Sequence, residues 1–488
     1  MHPLLDLLDK NSADRAQHLA ACDQTLSLDY RGFRAVACGL GARIAGQARG
    51  PRVGILAPTS TACAAAVYAC WYAGKVPVPL NFMLAPGELG KIVNDAGLDL
   101  IAAIDRFAPA VAAAGLKLLP LNGETLSPAA GTAPAAAAQD VATVIYTSGT
   151  SGDPKGVCLT FDNLVQNVRA CIEAADLSPD QVFLSLLPQF HAFGLTANTV
   201  IPLLMGATVY YLPRFSPVAV VSTIAEKRVS VFITIASMFG ALLAMKDARP
   251  EQFASITHPV SGGEPLSMKV AQAFEQRYGK RVYEGYGMTE ASPVVSLNTP
   301  RAHRLGSVGR PLPGISVAAV DYEGRALPAG DDGELVVRGH CVMQGYLNKP
   351  EQTAATVRAG ALFTGDIGHV DADGFVHITG RAKEMMIVGG ENVFPFEIES
   401  VLVDHPAIAE AAVIGVRDDI RGELPVAFVI PAPGAPVPTE AELRTFCRER
   451  LAAYKVPRQI HVALELPRGP TGKILKRALR LASTPGSQ

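Results

Sequence analysis

The chain has 488 residues, and 43 Lys and Arg against 45 Asp and Glu leave a formal net charge of −2. A balance so close to zero gives no electrostatic basis for binding nucleic acid or an anionic membrane surface. The length suffices for several folding units, and 49% hydrophobic positions exclude a chain that is disordered as a whole.

The N-terminus, MHPLLDLLDK, lacks the basic start and apolar run of a secretory signal. The apolar stretches 61–74 and 195–204 stop at Lys75 and at Pro202 and Gly206, short of the ~20 residues a spanning helix needs. The eight cysteines form no CxxC pair and no dense framework, so reduced thiols and a cytoplasmic location are expected.

From 52 to 286, short β-branched runs alternate with helical stretches, the pattern of a doubly wound α/β fold with a parallel sheet. Strands are expected at 53–56, 141–146, 182–186, 209–212, 231–235 and 281–286. Phe161, Leu164, Val165, Val168 and Ile172 stand at helical spacing and give one apolar face. An Ala- and Pro-rich connection at 127–140 reads as a seam between two α/β subdomains. Strands at 316–320, 334–338 and 374–379, separated by Gly and Asp turns, predict a small β-rich part over about 303–380. The remainder alternates a helix at 397–405, strands at 411–416 and 427–430, and a helix behind the capping box of Thr439 and Glu442. The expected organisation is therefore an N-terminal domain, 1–380, and a C-terminal α+β domain, 381–488.

The stretch most informative about chemistry is Tyr146-Thr147-Ser148-Gly149-Thr150-Ser151-Gly152-Asp153-Pro154-Lys155-Gly156. It follows a predicted strand, and its hydroxyls, glycines and lysine suit a loop wrapping phosphate oxygens. The GxxxxGK[ST] spacing of a Walker loop is absent. A plain Ser/Thr/Gly turn is the other reading of the same residues. Gly285-Tyr286-Gly287-Met288-Thr289-Glu290 adds an aromatic face for a base, a hydroxyl for phosphate and a carboxylate for Mg²⁺. Thr364-Gly365-Asp366 supplies an acid for ribose hydroxyls, and Gly380-Arg381-Ala382-Lys383 a guanidinium. Singly, these could be a solvated acid, a turn and a surface ion pair; in this order and company they point to a nucleotide.

With these stand Leu187-Pro188-Gln189-Phe190-His191-Ala192-Phe193-Gly194, Ser261-Gly262-Gly263-Glu264-Pro265-Leu266, Gly306-Ser307-Val308-Gly309-Arg310-Pro311, Gly389-Gly390-Glu391-Asn392-Val393 and Pro470-Thr471-Gly472-Lys473-Ile474. Over nearly its whole length the chain resembles the adenylate-forming superfamily of acyl-CoA synthetases, peptide-synthetase adenylation domains and beetle luciferases, and looks most like the fatty acyl-CoA synthetases. The resemblance implies two steps. A carboxylate attacks the α-phosphate of Mg·ATP, giving acyl-AMP and pyrophosphate; a thiol then takes the acyl group and releases AMP. Such a site positions anions and stabilises charge, and needs no covalent nucleophile.

Carried over residue by residue, the resemblance implies ATP contacts at Thr147, Ser148, Gly149, Thr150, Ser151, Gly152, Lys155, Gly263, Glu264, Tyr286, Gly287, Asp366 and Arg381. It implies catalytic roles for Lys473, Thr289, Glu290 and His191, and Mg²⁺ on Glu290 and Thr150. Lys383 would be the hinge of a mobile C-terminal domain, and Gly389 and Gly390 would line the CoA thiol channel. Glu264 could meet the adenine amine or face solvent, since many relatives have Ala there. Without the resemblance, Lys473 would read as one more solvated lysine in a basic tail with Lys476, Arg477 and Arg480.

Ala361 stands where many relatives carry Trp, and Ala236 where Pro is usual; neither is a proposed catalytic group. No acid near 232–239 suits a substrate amino group, which disfavours an α-amino acid. The substrate expected is a medium- or long-chain fatty acid, with CoA as acceptor; an aryl carboxylate, or loading of an acyl carrier protein, is the alternative. A non-catalytic nucleotide- or acyl-binding protein is more remote, because a pure binder would not need Lys473.

Overall fold

The structure, a computed structural model, describes residues 2–147, 154–418, 421–432, 434–468, 474–476 and 478–479. It divides into two compact units, one of Met1–Leu266, Val270–Ser316 and Val337–Leu362, the other of Ser267–Lys269, Val317–Val336 and Phe363–Gln488.

In the first unit a nine-stranded sheet runs Arg310–Pro311, Val294–Leu297, Tyr283–Gly287, His258–Gly262, Val231–Thr234, Val182–Ser185, Thr208–Tyr211, Leu19–Cys22, Ser27–Asp29. Its six central strands, from Tyr283–Gly287 to Leu19–Cys22, are mutually parallel, and the pairings toward both ends are antiparallel. A separate parallel sheet joins Val76–Pro79, Arg52–Leu56, Leu100–Ala103 and Lys117–Pro120. The fold is therefore α/β and doubly wound, as the alternation of runs predicts.

One strand sits elsewhere than expected. Val141–Thr147 joins neither parallel sheet; it forms an antiparallel hairpin with Lys155–Thr160, and Gly345–Tyr346 adds to the outer edge. The physical reason is chain length: a parallel neighbour needs a crossover of about a dozen residues or more, and the Gly/Ser/Thr loop between these strands is too short. The chain can only double back.

The helix Phe161–Ala175 begins at a reciprocal cap between Thr160 and Asn163 and buries Phe161, Leu164, Val165 and Val168, the face that its spacing predicts. Thr61–Tyr72 is buried on every side, so its unbroken apolar character reflects a core helix. Among the described residues no helix is long and apolar enough to cross a membrane. The connection 127–140 has no helix or strand and lies close on the helix Tyr30–Gln47: a Cβ on Gly39 would meet the Ser127 carbonyl oxygen at 2.2 Å. Beneath Val231–Thr234, the rings of Phe232, Phe239, Phe274 and Tyr278 interlock edge to face at 5.5, 5.0 and 4.9 Å. Such pairs add about 0.5–1.5 kcal/mol each beyond burial, and here they stiffen a strand whose end carries part of the site.

In the second unit Asp366–Val370 pairs with Val376–Arg381. A second sheet orders Glu391–Val393, Met386–Val388, Gly422–Pro431 and Ile408–Asp418, with Gln459–Val462 added parallel to Gly422–Pro431. The helices Pro395–Asp404 and Glu440–Arg448 bury Ile398, Leu402, Leu443 and Cys447 with Met386, Val388, Val413 and Val429. Thr439 and Glu442 form the reciprocal cap that their spacing predicts.

Candidate active site

In an open α/β sheet, ligands bind beyond the carboxyl ends of parallel strands, where the loops diverge. Four adjacent strands end there, and three of them deliver sequence-predicted residues. Val182–Ser185 leads to His191, Val231–Thr234 to Ala236 and Ser237, His258–Gly262 to Gly263 and Glu264, and Tyr283–Gly287 carries Tyr286 and Gly287 at its own end. These loops touch. A Cβ on Gly262 would come within 2.9 Å of Phe193, and Glu264 Oε1 accepts the Ser237 N–H at 2.5 Å. Glu264 thus caps the helix Ala236–Leu243, a role outside both sequence readings. His191 is half-buried at the N-cap of a one-turn helix, beside Phe190. Gly287 has no room for a side chain, since a Cβ would lie 1.9 Å from the Pro293 carbonyl oxygen.

Thr289 and Glu290 follow in a single 3₁₀ turn, Thr289 buried and Glu290 half-buried. Met343 N–H donates to the Glu290 carbonyl oxygen at 2.9 Å, and the Tyr346 hydroxyl donates to Glu290 Oε1 at 2.8 Å. Tyr346 pairs with Val157 on the hairpin, and Lys155 Nζ stands 5.0 Å from the centroid of its ring. One aromatic side chain therefore ties the base of the glycine-rich loop to the candidate Mg²⁺ carboxylate. Thr147 ends the first hairpin strand opposite Lys155. Ser148, Gly149, Thr150, Ser151, Gly152 and Lys473 lie outside the described residues. The donor chemistry present fits a hard divalent cation: a carboxylate oriented by Tyr346, with phosphates and water able to complete the shell.

In the second unit Asp366 is buried, its N–H bonded to Thr364 Oγ1 at 3.0 Å and its Oδ1 3.1 Å from Arg381 Nε. Thr364 in turn donates to the Leu335 carbonyl oxygen at 2.7 Å. The ribose-type acid and the guanidinium are thus one ion pair across a β-ladder, in register Asp366 to Arg381. Lys383 is exposed in the turn Ala382–Glu384. Gly389 and Gly390 form a two-residue hairpin tip at φ +61° and +91°, where a Cβ would be strained though space is open.

Two residues stand in motifs that the resemblance includes, Gly345-Tyr346 and Glu284-Gly285-Tyr286, but their roles escape sequence reasoning. Tyr346 stands in a Gly-Tyr pair whose partners are remote in sequence. Glu284, on the strand that ends in Tyr286, accepts the Leu266 N–H at 2.9 Å and so holds the far side of the 261–266 turn. Burial pushes its carboxyl up to about 8. The folded state therefore keeps a proton that the unfolded chain sheds near pH 4.5, so this contribution to stability falls progressively from there and is gone once pH has risen through about 8. Melting temperatures at pH 6 and 8.5 should fall more for the native protein than for Glu284→Gln; identical pH dependence would contradict a buried, protonated Glu284.

All eight cysteines are free, and burial pushes Cys63, Cys171 and Cys341 up to about 12. None of these three is a ready thiolate. A cavity of about 640 Å³ lined by Arg52, Val76, Cys158, Tyr346 and Asn348 includes none of the predicted site residues.

A parallel sheet that gathers the motif loops at its carboxyl edge, together with a hairpin that frames the glycine-rich motif and a small α+β unit, is the architecture of a nucleotide-dependent two-domain α/β enzyme of the adenylate-forming kind. The model of the AMP-binding enzymes matches residues 8–347, and that of the AMP-binding enzyme C-terminal domain matches 397–473. The chain belongs to the AMP-binding enzyme family. It is 38% identical over 446 residues to a feruloyl-CoA synthase from an Amycolatopsis species, covering 90% of each chain. It is 40% identical over 344 residues to a long-chain-fatty-acid–CoA ligase of Bacillus subtilis, covering 70% of this chain and 61% of that one. The crystal structure of ATP-bound MatB from Rhodopseudomonas palustris superposes with a TM-score of 0.92 at 30% identity, over 99% of both chains. The chain is an AMP-forming acid–thiol ligase of the acyl-CoA synthetase type, using ATP, CoA and Mg²⁺.

Proposed function

We propose that the protein converts a medium- or long-chain fatty acid to its acyl-CoA. The observation that carries the substrate class is the character of the loops at the sheet's carboxyl edge. Residues 190–197 and 232–239 hold no charged side chain, and Phe193 packs on Gly262. A carboxylate delivered there meets an apolar wall along the rest of its length. The acid's carboxylate oxygen bonds to the α-phosphorus of ATP as the bond to pyrophosphate breaks. The CoA sulfur then bonds to the acyl carbon, and AMP leaves with the former carboxylate oxygen. Lys155, Thr289 and Lys473 serve the first step by holding phosphate charge, while Glu290 and Thr150 would hold Mg²⁺, which would supply further neutralisation. The glycine tip at 389–390 admits the thiol arm of the acceptor, and Lys383 lets the C-terminal domain turn between the steps.

The likeness to a feruloyl-CoA synthase over 90% of both chains favours a second reading, an aryl-acrylic acid in the same apolar wall. Pyrophosphate release from a series of straight-chain acids and from ferulate, with and without CoA, decides between them. Highest kcat/KM with the straight-chain acids supports the first reading; highest with ferulate replaces it; no release with any acid overturns both.

For the acceptor, a cavity of about 170 Å³ in the second unit is lined by Arg421, Arg444, Arg448, Arg458 and Tyr454, and the Arg421 carbonyl oxygen accepts the Gly389 N–H at 2.8 Å. Four arginines lining one small cavity, one of them joined through its backbone to the proposed thiol-channel tip, support free CoA over a carrier protein, because only free CoA brings a 3′-phosphate. Arg448→Ala with Arg458→Ala should raise KM for CoA about tenfold or more, the scale of one charge-assisted bond of roughly 1.5–3 kcal/mol. KM for 3′-dephospho-CoA should not move. An equal rise for both thiols would remove the 3′-phosphate from this pocket.

A further inference from the structure

The C-terminal lysines and arginines read in sequence as a solvated basic tail. Lys476 is not part of one. Its Nζ lies 2.8 Å from Glu384 Oε2 and 2.8 Å from Glu399 Oε1, and Glu399 Oε1 also accepts the Val413 N–H at 2.7 Å. The three charged groups come from different elements: the turn Ala382–Glu384, the helix Pro395–Asp404 and the segment after Lys473. Burial works against the ammonium, yet Glu399 and Glu384 hold it above the ordinary lysine range. A buried charge of this kind is kept only where its partners are fixed, and removing one partner is costly.

The same segment is fastened twice more. Arg468 and Ile474 form a β-bridge, and Leu475 N–H donates to the Pro467 carbonyl oxygen at 2.7 Å. Ile474 and Leu479 pack with Leu466, Ala412, Ile414 and Val426. Lys473 immediately precedes Ile474, so the chain that carries it is pinned on its C-terminal side. The apolar cluster pins it to the β-sheet of its own unit, and the bridge ties it to the loop that follows the last strand. Lys476 alone among these fastenings reaches the turn that contains Lys383.

We propose that Lys476 is a positioning residue: with Glu384 and Glu399 it joins the segment that carries Lys473 to the turn that carries Lys383, so that hinge and catalytic lysine move as one piece. Rotation at the turn would then carry the chain that follows Lys473 with it, attached to the C-terminal domain throughout. This rests on the proposed role of Lys473 in adenylation.

The test measures the two half-reactions separately in the full-length enzyme: acyl-AMP formation by pyrophosphate exchange, and thioester formation from supplied acyl-AMP. Lys476→Met should lower the kcat of the first by about a hundredfold, the scale expected of an ångström-level misplacement, with KM for ATP little changed and the second half-reaction retained. Lys476→Arg should recover most of the loss. Equal loss in both half-reactions, or undiminished adenylation, would overturn the proposal. Should Lys476→Met fail to fold, Glu384→Gln leaves the Glu399 contact in place and should give a smaller loss confined to adenylation; no loss there overturns the proposal too. Lys473→Ala is run beside them. If it loses adenylation while Lys476→Met does not, only this inference fails; if Lys473→Ala itself adenylates normally, the role of Lys473 fails with it.

Discussion

Lys473→Ala is expected to lower acyl-AMP formation by about two to three orders of magnitude, the scale seen when one charge-stabilising group is removed from a developing anion. Thioester formation from supplied acyl-AMP should stay near the native rate. The asymmetry follows from electrostatics. In the first step a carboxylate and a phosphate, both anionic, are forced together, and a compact ammonium placed between them is worth most at that moment. In the second step the nucleophile is a thiol and the leaving group is already a nucleotide monophosphate, so a cation between two converging anions has nothing to do. Single-turnover assays of each half-reaction, at saturating MgATP and then with synthetic acyl-AMP and CoA, separate the two outcomes. Equal loss of both would make Lys473 structural or place it in acceptor binding.

How far the molecule was legible in its residues depends on how local each cause is. The helix Phe161–Ala175 and the reciprocal cap of Thr439 and Glu442 were readable because their partners lie within four residues, whereas the cap of Thr160 and Asn163 lacks the usual Glu or Gln and emerges only in the fold. Gly287 was readable as part of a motif, and the structure adds its steric reason in the Pro293 carbonyl. The pairing of Val141–Thr147 was misjudged because a β-branched run looks the same in a parallel sheet and a hairpin; only the length of the following loop separates them. Lys476 was read as solvated because its partners are 92 and 77 positions away, with nothing in the tail itself to announce them. The arginines at 421, 444, 448 and 458 converge only once a helix and two turns remote in sequence are folded together. Glu264 invited a ligand role by its place in a glycine-rich motif, while its nearest partner is the amide of Ser237. Chemistry carried by contiguous residues is legible; chemistry assembled across elements is not.

Glu290→Gln should cut kcat/KM for MgATP in adenylation by about ten- to a hundredfold, or roughly 1.4–2.8 kcal/mol, and move the half-maximal free Mg²⁺ upward. The substitution is nearly isosteric. A glutamine oxygen can still accept the Tyr346 O–H that reaches Glu290 Oε1 at 2.8 Å, so the turn and its packing survive and what is removed is charge. A hard cation loses more from that than from a small displacement, because its few protein ligands are chosen for negative charge and its remaining ligands come from phosphate and water. Tyr346→Phe is the counterpart: it keeps the carboxylate and the ring near Lys155 but deletes the hydrogen bond that orients Glu290. A neutral-to-charged bond of this kind is worth roughly 1.5–3 kcal/mol, and part of it is regained by water, so a loss of at most about tenfold is expected, with Mg²⁺ dependence nearly native. Adenylation rates titrated with free Mg²⁺ at fixed MgATP read both effects. If Glu290→Gln lowers the rate with no change in Mg²⁺ dependence, the carboxylate acts on the nucleotide or the fold and not on the metal. If Tyr346→Phe is as damaging as Glu290→Gln, the orientation of the carboxylate matters as much as its charge, and the tie between hairpin and 3₁₀ turn becomes part of the catalytic apparatus.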